Sequence, residues 1–154
     1  MGEKGAVKLS FAKSLTRFKR IAIDSMCFIY HFEGSIQYGN LTKELFSYLQ
    51  TKAKGVTSVL TLAEILSFEK LQQDQMLFEE EKIKLYSTPN LEILPIDGII
   101  AETGAILKYK YSLKLPDAIQ LATAVVSKQE VFISNDYRLK KVKEINVLIF
   151  DDFR

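Results

Sequence analysis

The sequence predicts an α/β fold, a three-layer α/β/α sandwich around a central parallel sheet. Short apolar runs rich in β-branched residues recur along the chain: IAI at 21–23, VTSVL at 56–60, LEILPI at 91–96, VFIS at 131–134 and INVLIF at 145–150. Longer segments of helical periodicity separate them, and parallel neighbours need crossovers of that kind. The chain has 154 residues, 47% hydrophobic and 26% charged, enough for one layered core without disulfides or a structural metal.

Residues 1–19 read as a basic N-terminal arm ahead of a domain spanning 20–154. Lys4, Lys8, Lys13, Arg17, Lys19 and Arg20 face only Glu3, so residues 1–20 carry +5 and the rest −3, within an overall charge of +2. Such an arm suits a polyanionic partner, though a solvated tail or, less well, a transit peptide also fits. Leu9, Phe11, Ala12, Leu15 and Phe18 could pack on the domain, on a second subunit or on nothing.

The run Ile21–Ile23 is a strand ending at Asp24, and a helix follows through Phe32. From Asn40, Leu41, Leu45, Phe46 and Leu49 share a helical face, closed by Lys54-Gly55. VTSVL is the next strand, and Thr61 starts a helix through LAEILSFEKL that continues, after a break, into QMLFEEEKIKLY, with Glu79–Glu81 solvated. Thr88-Pro89-Asn90 is a turn, LEILPI a strand, and Asp97 caps a helix from Gly98 to Tyr111. A helix from Pro116 to Ser127, the buried strand VFIS, a short helix at Tyr137–Lys141 and the strand INVLIF complete the series. Cys27 cannot form an internal bridge, no membrane span or leader core is visible, and the chain reads as cytoplasmic.

Four acids stand among apolar neighbours: Asp24 in IAID, Glu64 in LAEIL, Asp117 in LPDAI and Asp136 in VFISND. Each has a structural excuse. Asp24 can cap a helix, Thr61 with Glu64 matches a capping box, Pro116-Asp117 is an ordinary helix start and Asn135-Asp136 ordinary turn chemistry. Jointly they point to one site, because acids at the rim of a core are costly to desolvate unless paired. The nearest cations, Lys114 and Arg138, can point to solvent. Converging carboxylates are relieved by a raised pKa or a divalent cation, and oxygen ligands select Mg²⁺ or Mn²⁺. Zinc would need more than His31 and Cys27, and His31 reads as a surface or half-buried residue. Beyond the carboxyl ends of parallel strands, where Asp24 and Asp136 fall, is where such sheets bind ligands.

The segments IDSMCFIY around Asp24, TSVLTLAEIL around Glu64, LPDAIQLATAV around Asp117 and FISND through Asp136 resemble, in order and spacing, the PIN domain of metal-dependent ribonucleases. The resemblance covers residues 20 to about 150. It implies that Asp24, Glu64, Asp117 and Asp136 are catalytic and hold Mg²⁺ or Mn²⁺, that Ser25 and Ser134 sit beside the metal, and that Asn135 helps orient Asp136. Many small PIN proteins are VapC-type toxins, endoribonucleases that dimerise and are silenced by an antitoxin, which implies an RNA substrate, an antitoxin and a homodimer here. Two departures stand out: the basic arm before the first strand, and Met26 where the family often has a polar residue.

Lys108, Lys110 and Lys114 before the acidic helix, and Arg138, Lys140 and Lys141 after Asp136, are candidates for RNA phosphate contact, while Tyr109, Tyr111 and Tyr137 read chiefly as core-edge aromatics. A receiver-type signalling module would need paired acids after the first strand and a lysine where Asn135-Asp136 stands. A haloacid dehalogenase-type phosphatase needs an aspartate at Met26. The remaining alternative is a PIN-like scaffold that binds RNA or protein without cutting.

Overall fold

A computed structural model describes residues 9–154, so Lys4, Lys8 and Glu3 of the basic arm lie outside the described residues. The sheet has five parallel strands: β1 (Arg20–Ile23), β2 (Lys54–Ser58), β3 (Leu91–Leu94), β4 (Val131–Ser134) and β5 (Asn146–Ile149), in the order β3-β2-β1-β4-β5. From β1 the chain builds outward to β2 and β3, then returns to the other side of β1 with β4. The direction of winding therefore reverses between β1 and β4, and a crevice opens past their carboxyl ends.

The alternation of side chains along each strand separates two cores. Ile21, Ile23, Val131 and Ile133 face one layer, where α1 (Phe11–Leu15), α2 (Ser25–Phe32), α3 (Gly39–Lys52), α4 (Val59–Leu66) and α6 (Gln75–Tyr86) supply Phe11, Phe28, Leu45, Ile65 and Leu85. The short α5 (Glu69–Gln72) links α4 to α6. Ala22, Val56 and Phe132 face the opposite layer, α7 (Gly98–Tyr111) and α8 (Leu115–Val126). A Cβ on Gly104 would come within 2.9 Å of Ile119 Cδ1, so the missing side chain lets these two helices pack closely. This is the predicted three-layer α/β/α fold. Among the described residues no helix is long and apolar enough to cross a membrane.

Several local readings shift. The strand expected at VTSVL is displaced two residues toward the N-terminus: β2 begins at Lys54 and ends at Ser58, and Lys54-Gly55 opens it instead of closing α3. Val59 and Leu60 are helical because the Ser58 side chain accepts from Leu60 N, capping α4. Thr61 is therefore buried inside the helix, and the expected capping box does not form. INVLIF stops pairing at Ile149, and Phe150–Phe153 turn as a 3-10 helix.

Of the three placements open to Leu9–Phe18, the described part packs on the domain. Phe11 and Leu15 are buried, and the Phe11 ring stands edge-on to Phe150 and to Phe153, each with centroids 5.3 Å apart. Tyr48 Oη ties the end of this segment down by donating to Phe18 O at 2.8 Å.

Candidate active site at the sheet switch point

Strand β1 delivers Asp24 to the crevice, where its main-chain N–H donates to Ile133 O of β4 at 2.9 Å. Its side chain caps α2: Oδ1 accepts from Ser25 N at 2.8 Å, and Oδ2 accepts from Ser134 Oγ at 2.7 Å. The carboxyl is 6% exposed. Burial pushes its pKa from 3.8 to about 6 against the lowering effect of those hydrogen bonds, and the charges of Asp117 and Glu64 push it further the same way. Ser25 and Ser134, expected beside a metal, both hydrogen-bond to this acid. Ser134 Oγ also accepts from Asp136 N at 3.1 Å, so one hydroxyl joins the ends of β1 and β4.

Glu64 lies in the second turn of α4, half-buried, and accepts from Gln120 Nε2 at 3.2 Å. Asp117 lies in the first turn of α8, where partial helix charge favours an anion. Burial raises its pKa, the nearby charges of Asp136 and Glu64 add to that, and Arg138 and Lys114 oppose it. Asp136 follows β4. All four acids thus converge at one end of the sheet, each within electrostatic reach of at least one other.

Asp136 corrects one expectation. Arg138 is exposed but not unpaired: its Nε donates to Asp136 Oδ1 at 3.0 Å and its Nη2 to Oδ2 at 2.6 Å, a bidentate pair that holds the Asp136 pKa below the usual carboxylate range. Nor does Asn135 orient Asp136; its amide donates to Tyr30 Oη at 3.3 Å and its carbonyl accepts from Asp151 N at 2.9 Å. The donor set consists of hard carboxylate oxygens, which suits Mg²⁺ or Mn²⁺ and not zinc, with Cys27 fully buried and His31 engaged with Thr42 and stacked on Phe46. Among the described residues, however, no three acids, histidines or cysteines stand in a ready-made metal cage. Release of Asp136 from Arg138 is one adjustment that ion binding would require.

The sequence reading missed a buried polar chain behind the acids. Gln120 donates to Thr61 Oγ1 at 2.8 Å as well as to Glu64, Thr61 shares a 2.6 Å hydrogen bond with Thr57, and Thr57 donates to Ile23 O at 2.8 Å. It therefore runs from Glu64 to the residue before Asp24. Its signal was an amide inside LPDAIQLATAVV, at i+3 from Asp117 and hence on the same helix face.

Of the proposed phosphate-contacting cations, Lys110 pairs with Glu144 at 2.9 Å, Lys140 with Asp152 at 2.7 Å and Arg138 with Asp136. Lys108, Lys114 and Lys141 are exposed, and Lys114 is close enough to Asp117 and Asp136 to lower both their pKa values. Tyr109 and Tyr137, read as core-edge aromatics, are instead 91% and 69% exposed, while Tyr111 donates to Glu144 at 2.6 Å.

The fold is a parallel α/β/α sandwich with an acidic crevice at its switch point. The chain belongs to the PIN domain family, which it matches over residues 21–145. No curated protein matches it at the sequence level. Similar solved structures include a toxin-antitoxin complex from Klebsiella pneumoniae (24% identity over 84% of this chain and 97% of that one, TM-score 0.64). VapBC2 from Rickettsia felis, bound to a DNA fragment from its promoter, is similar at 12% identity, 84% and 98% coverage and TM-score 0.66. DNA-bound VapBC from Salmonella typhimurium is similar at 15% identity, 86% and 98% coverage and TM-score 0.62. At these identities the likeness is one of fold.

Proposed function

We propose that the chain is a cytoplasmic, Mg²⁺- or Mn²⁺-dependent endoribonuclease and the toxin of a toxin-antitoxin pair. The carrying observation is Asp24, a buried carboxylate that receives hydrogen bonds but, among the described residues, pairs with no cation, and against which Glu64 and Asp117 add like charge. Asp24, Glu64, Asp117 and Asp136 would hold the ion. When bound, it supplies positive charge that neutralises the attacked phosphodiester and its leaving oxygen.

The chain's own residues do the rest. Ser25 and Ser134 fix the Asp24 carboxylate, and Gln120 fixes Glu64. One of the four acids accepts the proton of the attacking water. The water oxygen bonds to phosphorus as the P–O3′ bond breaks, and the 3′-oxygen takes a proton from solvent. The products carry a 5′-phosphate and a 3′-hydroxyl. Lys108, Lys114 and Lys141 are free of the ion pairs that occupy Lys110, Arg138 and Lys140, and so are the better phosphate contacts. An antitoxin partner is supported by the fold shared with toxin-antitoxin complexes, and the proposal includes a homodimer on the precedent of small PIN toxins.

Cleavage of end-labelled structured RNA with Mn²⁺ or Mg²⁺, beside EDTA and Asp117→Asn, tests this reading. The expected result is metal-dependent cutting that falls by orders of magnitude in the variant. Wild-type cutting by Asp117→Asn would overturn the assignment. The second reading, a non-cleaving scaffold, draws on the Arg138–Asp136 pair that occupies one of the four acids; binding of RNA without cutting in the same assay would favour it.

A further inference from the structure

At the amino ends of β1, β2 and β3, opposite the acids, an open cleft of about 840 Å³ is bordered by Lys19, Arg20, Lys52 and Lys54. All four residues are exposed, and none of the ion pairs among the described residues includes them. Two acids are near. Glu92 lines the cleft, and Glu130 Oε1 accepts from the main-chain N–H groups of Lys19 at 2.7 Å and Arg20 at 2.9 Å. Glu130 is thereby committed to backbone, and the four side-chain cations still outnumber the acids. Lys52, in the last turn of α3, also complements the helix dipole, but that accounts for neither Lys54 nor Lys19.

We propose that this cleft is a second polyanion site, a docking surface for the phosphate backbone of a nucleic acid, separate from the acidic crevice. Charge decides the class of ligand. Three of the six basic residues flanking the acids are consumed by carboxylates, whereas the cations of this cleft are not. Its apolar lining is poor in exposed anchors, since Val56 and Ala53 are buried, so it lacks the pockets by which peptide grooves select side chains. The register places Arg20 beside Lys54 across β1 and β2, but Arg20 Nη2 donates to Ser127 O at 2.9 Å, which leaves Lys19, Lys52 and Lys54 as the cations that can contact phosphates. The arm residues Lys13 and Arg17 extend the basic character on the same segment of chain. The inference does not rest on cleavage: a nucleic acid held here is anchored at the end of the sheet remote from the acids.

The test is fluorescence anisotropy of labelled single-stranded RNA, and of DNA of the same sequence, with the full-length chain in EDTA over a range of KCl. The proteins are wild type, the triple variant Lys19→Gln/Lys52→Gln/Lys54→Gln, and Lys114→Gln/Lys141→Gln as a control at the acidic end. Circular dichroism confirms that each is folded. Loss of three phosphate contacts should weaken binding of RNA and DNA alike by about tenfold or more and make the log–log salt slope shallower by about 2. The control should retain a larger share of the affinity. Affinity and slope equal to wild type in the triple variant overturn the proposal. Unchanged RNA binding together with lost binding of labelled polyglutamate also overturns it, in favour of an acidic protein segment. Because no divalent ion is present, neither a failed cleavage assay nor a successful one bears on the outcome.

Discussion

Asp24→Asn should stabilise the metal-free protein while abolishing cleavage. The folded-state pKa of Asp24, about 6, lies above its ordinary 3.8, so the folded state holds the proton more tightly than the unfolded chain does. Its contribution is fully present below about pH 3.8 and is lost as pH rises through about 6. A difference of this size corresponds to about 3 kcal/mol. Asparagine removes that charge penalty but keeps a single acceptor oxygen, so one of the bonds from Ser25 N and Ser134 Oγ is weakened, at a cost of about 1 kcal/mol. The net gain is about 2 kcal/mol near pH 8, or a rise of roughly 4–8 °C in Tm. Thermal melts in EDTA from acid to mildly alkaline pH read this directly. Wild type should lose stability across the interval between the two pKa values, Asp24→Asn should lose less, and the curves should diverge toward high pH. Melting of the variant below wild type at pH 8, or parallel pH profiles, would refute the account of Asp24 as a desolvated, uncompensated charge. Added Mn²⁺ should raise the wild-type Tm and leave the variant nearly unchanged.

Arg138→Gln should free the Asp136 carboxylate and tighten Mn²⁺ binding several-fold, read by electron paramagnetic resonance of the free ion; equal or weaker affinity would show that the ion does not compete with the guanidinium. Gln120→Leu should release Glu64 and leave the buried Thr61 hydroxyl with one partner fewer, costing about 1–3 kcal/mol in denaturant unfolding. Cleavage by that variant should fall with its metal affinity; undiminished metal binding would mean that Glu64 needs no support from Gln120.

The periodic helices and the order of five parallel strands along the chain were legible, since most apolar patterns agreed with their tertiary setting. The failures share a cause in long-range register. VTSVL has the composition of a strand throughout, yet pairing with β3 ends at Ser58↔Leu94, and beyond it the capping serine draws Val59 and Leu60 into a helix. The four acids were legible as a set from their apolar flanks. The partner of Asp136 was not, since the side chain of Arg138 can turn to solvent or to its neighbour with the same spacing in sequence. Gln120 was visible but unreadable: only when α8 is seated against α4 does its amide meet Thr61 and Glu64.

The acids are quieted by unlike means, and the difference follows from where the fold puts them. Asp24 stands buried at the switch point and is met by a main-chain N–H and a hydroxyl. Asp136 stands at the rim and takes a full guanidinium. Asp117 lies between, half-buried, with Arg138 and Lys114 opposing its raised pKa from a distance. Neutralisation is thus weakest where burial is greatest, the reverse of what stability alone would select. That imbalance is what the proposed ion would relieve, and Ser134, bound to both Asp24 and the backbone of Asp136, holds the two ends of the crevice in register.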